Sequence, residues 1–392
     1  MRHLRPSVAA VLAIVLSTTT ACGASEPPSV ETIRIGLIAN LTGSFEQPGS
    51  ELRDGFKLYL DMNGGRLGGH PAELLFADEG YTRDVAIASA KKLLEEDRVS
   101  AITGIINGGN VTALLPLVTE HQVPLVGALG RPDLNDVTWV WNTNLLSVEP
   151  GRAMAPFVRQ QVNGKVYAIG PNFQGGRDEL RGFTETFLSL GGKLANPDGT
   201  TATFTPFPDT TDFTPYLDAI AKTDAAAVYC FFGAGNSVDF VNQYARSKVA
   251  RLPLFAAGFV TDGEILKQQG DAAAGIYNAL NYSPDLDNAA NRAFINAWYA
   301  AYPDRVPNNI VMASYDAAAV LDRAIAKAGP HPSPAEINEA IASLGQIDSP
   351  RGPWRFAHDT HAPIQKWYLR QVRQDGRALA NVVVSELATL GG

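Results

Sequence analysis

Short apolar runs rich in β-branched residues alternate with longer helix-period stretches from residue 33 onward. This alternation constrains the fold more than any other feature, because a βαβ rhythm specifies a parallel sheet with helices on its faces. Ile33–Ala39 (IRIGLIA) reads as a strand and Glu51–Asp61 as an amphipathic helix, followed by strand 72–78, helix 83–96, strand 99–103, helix 111–120 and strand 124–127. Over residues 138–150 (TWVWNTNLLSVEP) the rhythm breaks, then resumes as helix 151–162, strand 165–170, helix 178–189, strand 225–232, helix 238–246 and strand 253–257. The expected fold class is therefore α/β, with two doubly wound lobes. Residues 204–212, rich in Pro, Thr and Asp, read as a loop. After Tyr282, three helical stretches at 288–302, 312–328 and 334–344 lack intervening strands and belong most simply on the first lobe. Two or three chain crossings then make a hinge with a cleft between the lobes. Ligands of open α/β sheets bind at the carboxyl ends of strands, and pockets favour domain interfaces, so the cleft is the expected site.

With 45% hydrophobic and 18% charged residues, the composition is that of a globular protein and excludes disorder as its main character. The net charge of −8, without a basic run, gives no footprint for nucleic acid. Arg2 and Arg5, a nine-residue apolar run from Val8 to Leu16 and small residues up to Ala21 make residues 1–21 a signal peptide. That run is far below the ~20 residues a spanning helix needs, and no later stretch reaches that length. Without the leader, 30 basic residues face 40 acidic ones, a net of −10. Of the two cysteines, Cys22 and Cys230, an oxidising compartment would allow pairing. Cys22, however, directly follows Ala21 and resembles the lipid-acceptor cysteine of bacterial lipoproteins, although Thr19 stands where that motif usually has Leu. Ordinary cleavage near Gly23 or Ala24 is the alternative. The expected organisation is a lipid-anchored tether at 22–30, lobe 1 at 31–145 plus about 283–362, and lobe 2 at 146–282 plus about 363–389. Such a chain is exported and held at the outer face of the membrane or in the periplasm.

Signatures of catalysis are thin. Neither a G-x-S-x-G elbow nor a G-x-x-x-x-G-K-[ST] phosphate loop occurs. Gly233-Ala234-Gly235 opens like a dinucleotide fingerprint, but Val238 holds the third glycine's place, so a tight turn facing the cleft is the better reading and no cofactor is expected. His358 and His361 lack a third ligand and read as a surface turn. Asp262 and Glu264 precede a helical run and read first as helix-terminal acids, second as ligand contacts. The turns with more content end strands of the first lobe. Gly104-Ile105-Ile106-Asn107-Gly108-Gly109-Asn110 runs into a helix and offers backbone N–H groups to an anion. Gly127-Ala128-Leu129-Gly130-Arg131 adds further N–H groups and a guanidinium able to pair with a carboxylate. Both clusters could instead merely cap helices. Phe173, Phe232 and Phe259 fall at strand ends of the second lobe, where they are either core or pocket wall.

These residues together resemble the type I periplasmic binding proteins, in the branch of the leucine/isoleucine/valine-binding receptors of ABC importers. The resemblance runs through Ile35-Gly36, Thr42-Gly43, Gly55, Asn63-Gly64-Gly65, Gly68, Gly104, Pro116, Val123-Pro124, Phe173, Gly175, Gly233 and Tyr315-Asp316-Ala317 ahead of Ala324-Ile325, covering residues 31 to 375. It implies a monomeric Venus-flytrap receptor that closes on a small solute and presents it to permease subunits, without catalysis. It also implies ligand contacts from Phe45, Gly108, Asn110, Ala128, Gly130, Arg131, Phe173, Phe232, Asp262 and Tyr282. The amino-acid pattern fits only in part: Asn110 and Gly130 stand where hydroxyl residues are usual, Phe173 lacks the usual phenol, and Asp262 is the one charged candidate to meet an ammonium. A small carboxylate with an apolar or aromatic body is expected, with branched-chain amino acids allowed. The same fold serves in sensors and regulators, but no membrane, effector or DNA-binding segment is recognisable here. An exported enzyme is the remaining rival.

Overall fold

The computed structural model describes Met1 and residues 31–391 except Tyr81 and Ala128, so the signal peptide, Cys22 and the tether lie outside the described residues. The first sheet grows from β1 (Ile33–Ala39), buried along its length except at Arg34, as a parallel strand covered on both faces must be. There follow α1 (Glu46–Met62), β2 (Arg66–Leu67), β3 (His70–Asp78), α2 (Arg83–Lys91, prolonged by a π-helical turn to Glu96), β4 (Ala101–Gly104), α3 (Gly108–His121), β5 (Leu125–Gly127), β6 (Gly130–Arg131) and β7 (Val140–Asn142). The strand order is β2-β3-β1-β4-β5-β7. All neighbours are parallel except β2 and β3.

From β8 (Leu145–Leu146), paired with β6, the chain enters the second lobe. Here α4 (Glu149–Gln161), β9 (Lys165–Pro171), α5 (Gln174–Ser189), β10 (Thr203–Thr205), α6 (Thr214–Ile220), β11 (Ala225–Cys230), α7 (Ala234–Ala245), β12 (Leu254–Ala257), α8 (Glu264–Gln269) and β13 (Tyr277–Leu280) follow in turn. Then α9 (Ala289–Ala301), α10 (Asn309–Ala328) and α11 (Pro334–Ala342) return to the first lobe, where α10 packs along α1 and shares its core with Phe56 and Leu60. Finally β14 (Arg355–Phe356), β15 (Pro363–Asp375) and β16 (Ala378–Leu390) close the second sheet, whose order is β10-β9-β11-β12-β13-β15-β14 with β16 beside β15. The long β15–β16 hairpin turns at Gly376, whose φ of 59° suits glycine. The expected loop 204–212 is corrected at its start, where Thr203–Thr205 pairs with β9.

Two features position the cleft. The chain passes between the sheets three times, and the crossings are tied together by a buried polar cluster: Asn144 Nδ2 donates to Asn309 Oδ1 at 2.7 Å, Asn281 Nδ2 to Gln365 Oε1 at 2.8 Å, and Arg351 Nη1 to the same oxygen at 2.6 Å. Arg351 is also paired with Asp316 at 2.8 Å, both side chains 1% exposed. Second, each sheet has a topological switch point, between β1 and β4 in the first lobe and between β9 and β11 in the second. At such a point the turns leaving adjacent strands diverge to opposite faces, which leaves a crevice at the strand ends.

Candidate ligand-binding site

The two crevices face each other and enclose a cavity of about 130 Å3. At the roughly 10–15 Å3 that one water occupies on this measure, that is room for a molecule of about ten heavy atoms. From the first lobe come Phe45, Gln47, Pro48 and Glu51 after β1, Ile106, Asn107 and Gly108 after β4, and Leu129 and Gly130 after β5. From the second come Phe173, Gly175 and Glu179 after β9, and Phe231, Gly233 and Ala234 after β11. Phe207, Phe259, Asp262 and Ile265 complete that side, Asn308 and Ile310 come from the start of α10 on the first lobe, and Leu145, Ser147 and Pro150 lie at the first crossing. Five phenylalanines form a continuous wall: Phe45 meets Phe207 at 5.6 Å across the cleft, Phe207 meets Phe173 at 4.7 Å, and Phe173 meets Phe231 at 6.1 Å. Phe231 reaches Phe259 at 6.3 Å. Edge and tilted pairs of this kind add about 0.5–1.5 kcal/mol each beyond their burial.

Several helices point their N-termini at this cavity, since Gly108 opens α3, Gly175 lies in the first turn of α5, and Gly233 caps α7. Their first-turn N–H groups have no partner within the helix and carry the positive end of its dipole. The first-lobe turn is partly occupied from behind. Glu79 accepts Ile106 N at 2.7 Å, Asn107 N at 2.9 Å and Asn110 Nδ2 at 2.8 Å. Asn110 is therefore a strut inside the lobe and not a pocket residue. Burial pushes the Glu79 carboxyl up to about 7 against the opposing pull of those three donors.

Of the expected contacts, the structure brings Phe45, Gly108, Gly130, Phe173 and Asp262 to the cavity, while Ala128 is outside the described residues. Arg131 is corrected. It is buried, with Nη1 donating to Pro132 O at 2.9 Å and Nη2 to Thr360 O, so it clamps the third crossing away from the ligand space. Burial lowers its guanidinium to about 10. Phe232 is corrected as well: it stacks on Phe240 at 4.4 Å and abuts Phe213 at 5.0 Å in the core. Its neighbour Phe231 takes the pocket side, because successive side chains of an extended chain point to opposite faces. Tyr282 is fully buried, its hydroxyl on Asn291 Oδ1 at 3.1 Å and its ring against Phe294. Asp262 lines the cavity and is already engaged, with Arg370 Nη1 at 2.9 Å on one oxygen and Asn309 N at 2.9 Å on the other. It caps α10 across the crossing, and Glu264 likewise accepts Val306 N at 3.0 Å.

Sequence reasoning missed Glu51, Glu179, Ser147, Phe207 and Phe231. Ser147, in the turn after β8, places its hydroxyl 3.2 Å from where a Cβ on Gly130 would stand, so a hydroxyl borders the place that Gly130 leaves without one. Burial pushes Glu51 to about 7, against hydrogen bonds from Asn308 and Gln47. It pushes Glu179 to about 8, although Tyr229 and the Gly151 N–H both donate to it. His358 is exposed, and His361 stacks on Trp141 at 3.7 Å. Among the described residues no three His, Cys, Asp or Glu stand together to hold a metal.

Two α/β lobes joined by three crossings, with their switch points closing on one solute-sized apolar chamber, define a bilobal solute-binding protein. The chain belongs to the periplasmic binding protein family, whose sequence model matches residues 32–377. It is similar to a Leu/Ile/Val-binding protein homolog 6 from Brucella melitensis, 23% identical over 349 residues, 87% of this chain and 88% of that one. Among solved structures it is similar to an ABC-transporter solute binding protein from R. palustris in complex with benzoate, with 26% identity, TM-score 0.83, and 92% of this chain and 98% of that one covered. The fold also matches the branched-chain amino acid transporter substrate binding protein LivJ from Streptococcus pneumoniae in complex with isoleucine, with 20% identity, TM-score 0.74, and 90% and 99% covered. The family and its structural neighbours are substrate-binding proteins and not enzymes.

Proposed function

We propose that this chain is the solute receptor of an ABC importer for small carboxylic acids with an apolar, aromatic body, and that it delivers them to the permease subunits. The observation that carries this reading is the phenylalanine wall facing helix N-termini. The rings stack on an aromatic or aliphatic body, and the first-turn N–H groups of α3, α5 and α7, with the Ser147 hydroxyl, receive a carboxylate. The benzoate bound by the R. palustris protein supports the same chemistry. The lobes move as 31–145 plus about 283–362 against 146–282 plus about 363–389, and a ligand touching both stabilises the closed form. A leader over residues 1–21, with a lipid on Cys22, would hold a monomeric receptor at the outer face of the cell membrane or in the periplasm.

The competing ligand class is the branched-chain amino acids, supported by the names of the relatives and the isoleucine complex. Against it stands Asp262, the acid that the family resemblance offers to an ammonium, which is already engaged by the Arg370 guanidinium and the Asn309 N–H. A thermal-shift screen of residues 31–392 against benzoate, 4-hydroxybenzoate, leucine, isoleucine and valine tests the reading. Ligand at one hundred times Kd adds about 2.7 kcal/mol of apparent stability. The aromatic acids are expected to raise Tm and the amino acids to leave it unmoved; the reverse pattern overturns the aromatic-acid reading.

A further inference from the structure

Three carboxyl side chains line the pocket, Glu51, Glu179 and Asp262, and among the described lining residues there is no lysine, arginine or histidine. Asp262 is neutralised by Arg370 at 2.9 Å. Glu179 holds a tyrosine hydroxyl and a backbone N–H on its two oxygens. Glu51 differs from both. Its hydrogen-bond partners are the amides of Gln47 and Asn308, and it also borders a second, polar recess formed by Gly43, Glu46, Gln47, Ser50, Glu264 and Arg305. The groups facing it are Gln47 on its own helix, Asn308 ahead of α10, Asp262, and Arg305, which is engaged by Asp54 at 2.6 Å. Glu46 and Glu264 share the recess, and Glu264 is paired with Lys267 at 2.9 Å.

An anion entering this chamber faces a buried carboxyl with no cation of its own. We propose that the receptor binds its carboxylate ligand together with one proton, and that Glu51 is the residue that takes it. The proposal rests on the reading of the ligand as a small acid without an amine. Glu51 as carboxylate takes one proton from a hydronium ion or buffer acid as the ligand anion enters, giving a neutral carboxyl facing a carboxylate; one bond to hydrogen breaks in the donor acid, which leaves as its conjugate base, and one O–H bond forms on Glu51. The recess gives Glu51 a route to water beside the apolar chamber. Because burial already holds its carboxyl near neutrality, a nearby anion lifts it further, so proton uptake falls at pH 7 to 8 and affinity declines as pH rises through that range. An ammonium at the same place would act with the opposite sign and expel the proton.

Calorimetric titration of the wild-type receptor with benzoate, in two buffers of different ionisation heat at pH 6.5, 7.5 and 8.5, reads the proton directly. The expected result is net uptake at pH 7.5 and roughly a tenfold loss of affinity from pH 6.5 to 8.5, which corresponds to about half a proton taken up on average across those two units because Glu51 is already partly protonated at the acid end. Glu51→Gln, checked for folding by its melting transition, is expected to abolish uptake and flatten the pH profile, whereas Glu149→Gln, at an acid also raised by burial but outside the pocket lining, retains both. Benzoate binding without proton exchange overturns the proposal and leaves the proposed function standing. Proton release, or uptake that survives in Glu51→Gln, also overturns it. Failure of benzoate and 4-hydroxybenzoate to bind at any pH overturns both readings.

Discussion

At the scale of single residues, the pocket separates two phenylalanines that adjoin in sequence. Phe231 is on the ligand wall and Phe232 is in a core of Phe213, Phe240 and Val241. Removing each therefore has different effects. Phe231→Ala is expected to weaken ligand binding about tenfold with little change in Tm, while Phe232→Ala leaves a core cavity and costs about 3–5 kcal/mol of stability. Melting curves and titrations on the pair check this, and equal effects on both readouts would contradict the assignment. Phe173 and Gly108 line the cavity, and their places were legible because a strand end and a helix start are visible in the local pattern. Residue-level reasoning misplaced Arg131 and Tyr282, because a guanidinium or phenol after a strand looks alike whether it turns to the cleft or to a backbone carbonyl.

Among elements, the helices bordering the cleft begin earlier than their apolar periodicity: α1 at Glu46 and not Glu51, α3 at Gly108 and not Val111, α5 at Gln174 and not Asp178, α7 at Ala234 and not Val238, and α10 at Asn309 and not Met312. The cause is shared. These first turns pack on the cleft or a crossing and not on a sheet, so they need no apolar stripe, and they carry Pro48, Gly109, Gly175 or Gly235, whose lost helix propensity is cheap where N–H groups are unpaired anyway. The residues that hide the helix start from a periodicity search thus include those that line the pocket. Elsewhere, α4 and α5 cross so closely that a Cβ on Gly182 would lie 2.1 Å from Val148 O. Gly182→Val is expected to push the two helices apart and destabilise the second lobe by about 1–3 kcal/mol, measured by chemical denaturation. An unchanged midpoint would refute that packing. The β15–β16 hairpin escaped notice although Asp375-Gly376 between two β-rich runs is a hairpin signal.

For the whole molecule, buried acids set the response to pH. Glu51, Glu79 and Glu149 are pushed to about 7 and Glu179 to about 8 by burial, from an ordinary 4.5. The folded state then binds more protons than the unfolded chain between those values, so stability is highest near the acid end and falls as pH rises towards 8. His361, lowered by burial, acts in the opposite sense only below its ordinary 6.5. The expected outcome is a lower Tm at pH 8.5 than at pH 5.5 for the ligand-free protein, and a flat or rising profile would contradict it. The sequence by itself determined the two α/β lobes, the return of the tail to the first lobe and the presence of glycine-rich turns at the strand ends that border the cavity, because apolar periodicity and turn residues are local properties. Only the tertiary structure decided that Asp262 belongs to Arg370, that Glu79 holds the glycine turn from behind, and that Glu51 lines the cavity hydrogen-bonded to Asn308. Those pairings join residues 108, 27 to 31 and 257 positions apart, and a spacing pattern carries no record of which distant charge a folded carboxyl will meet.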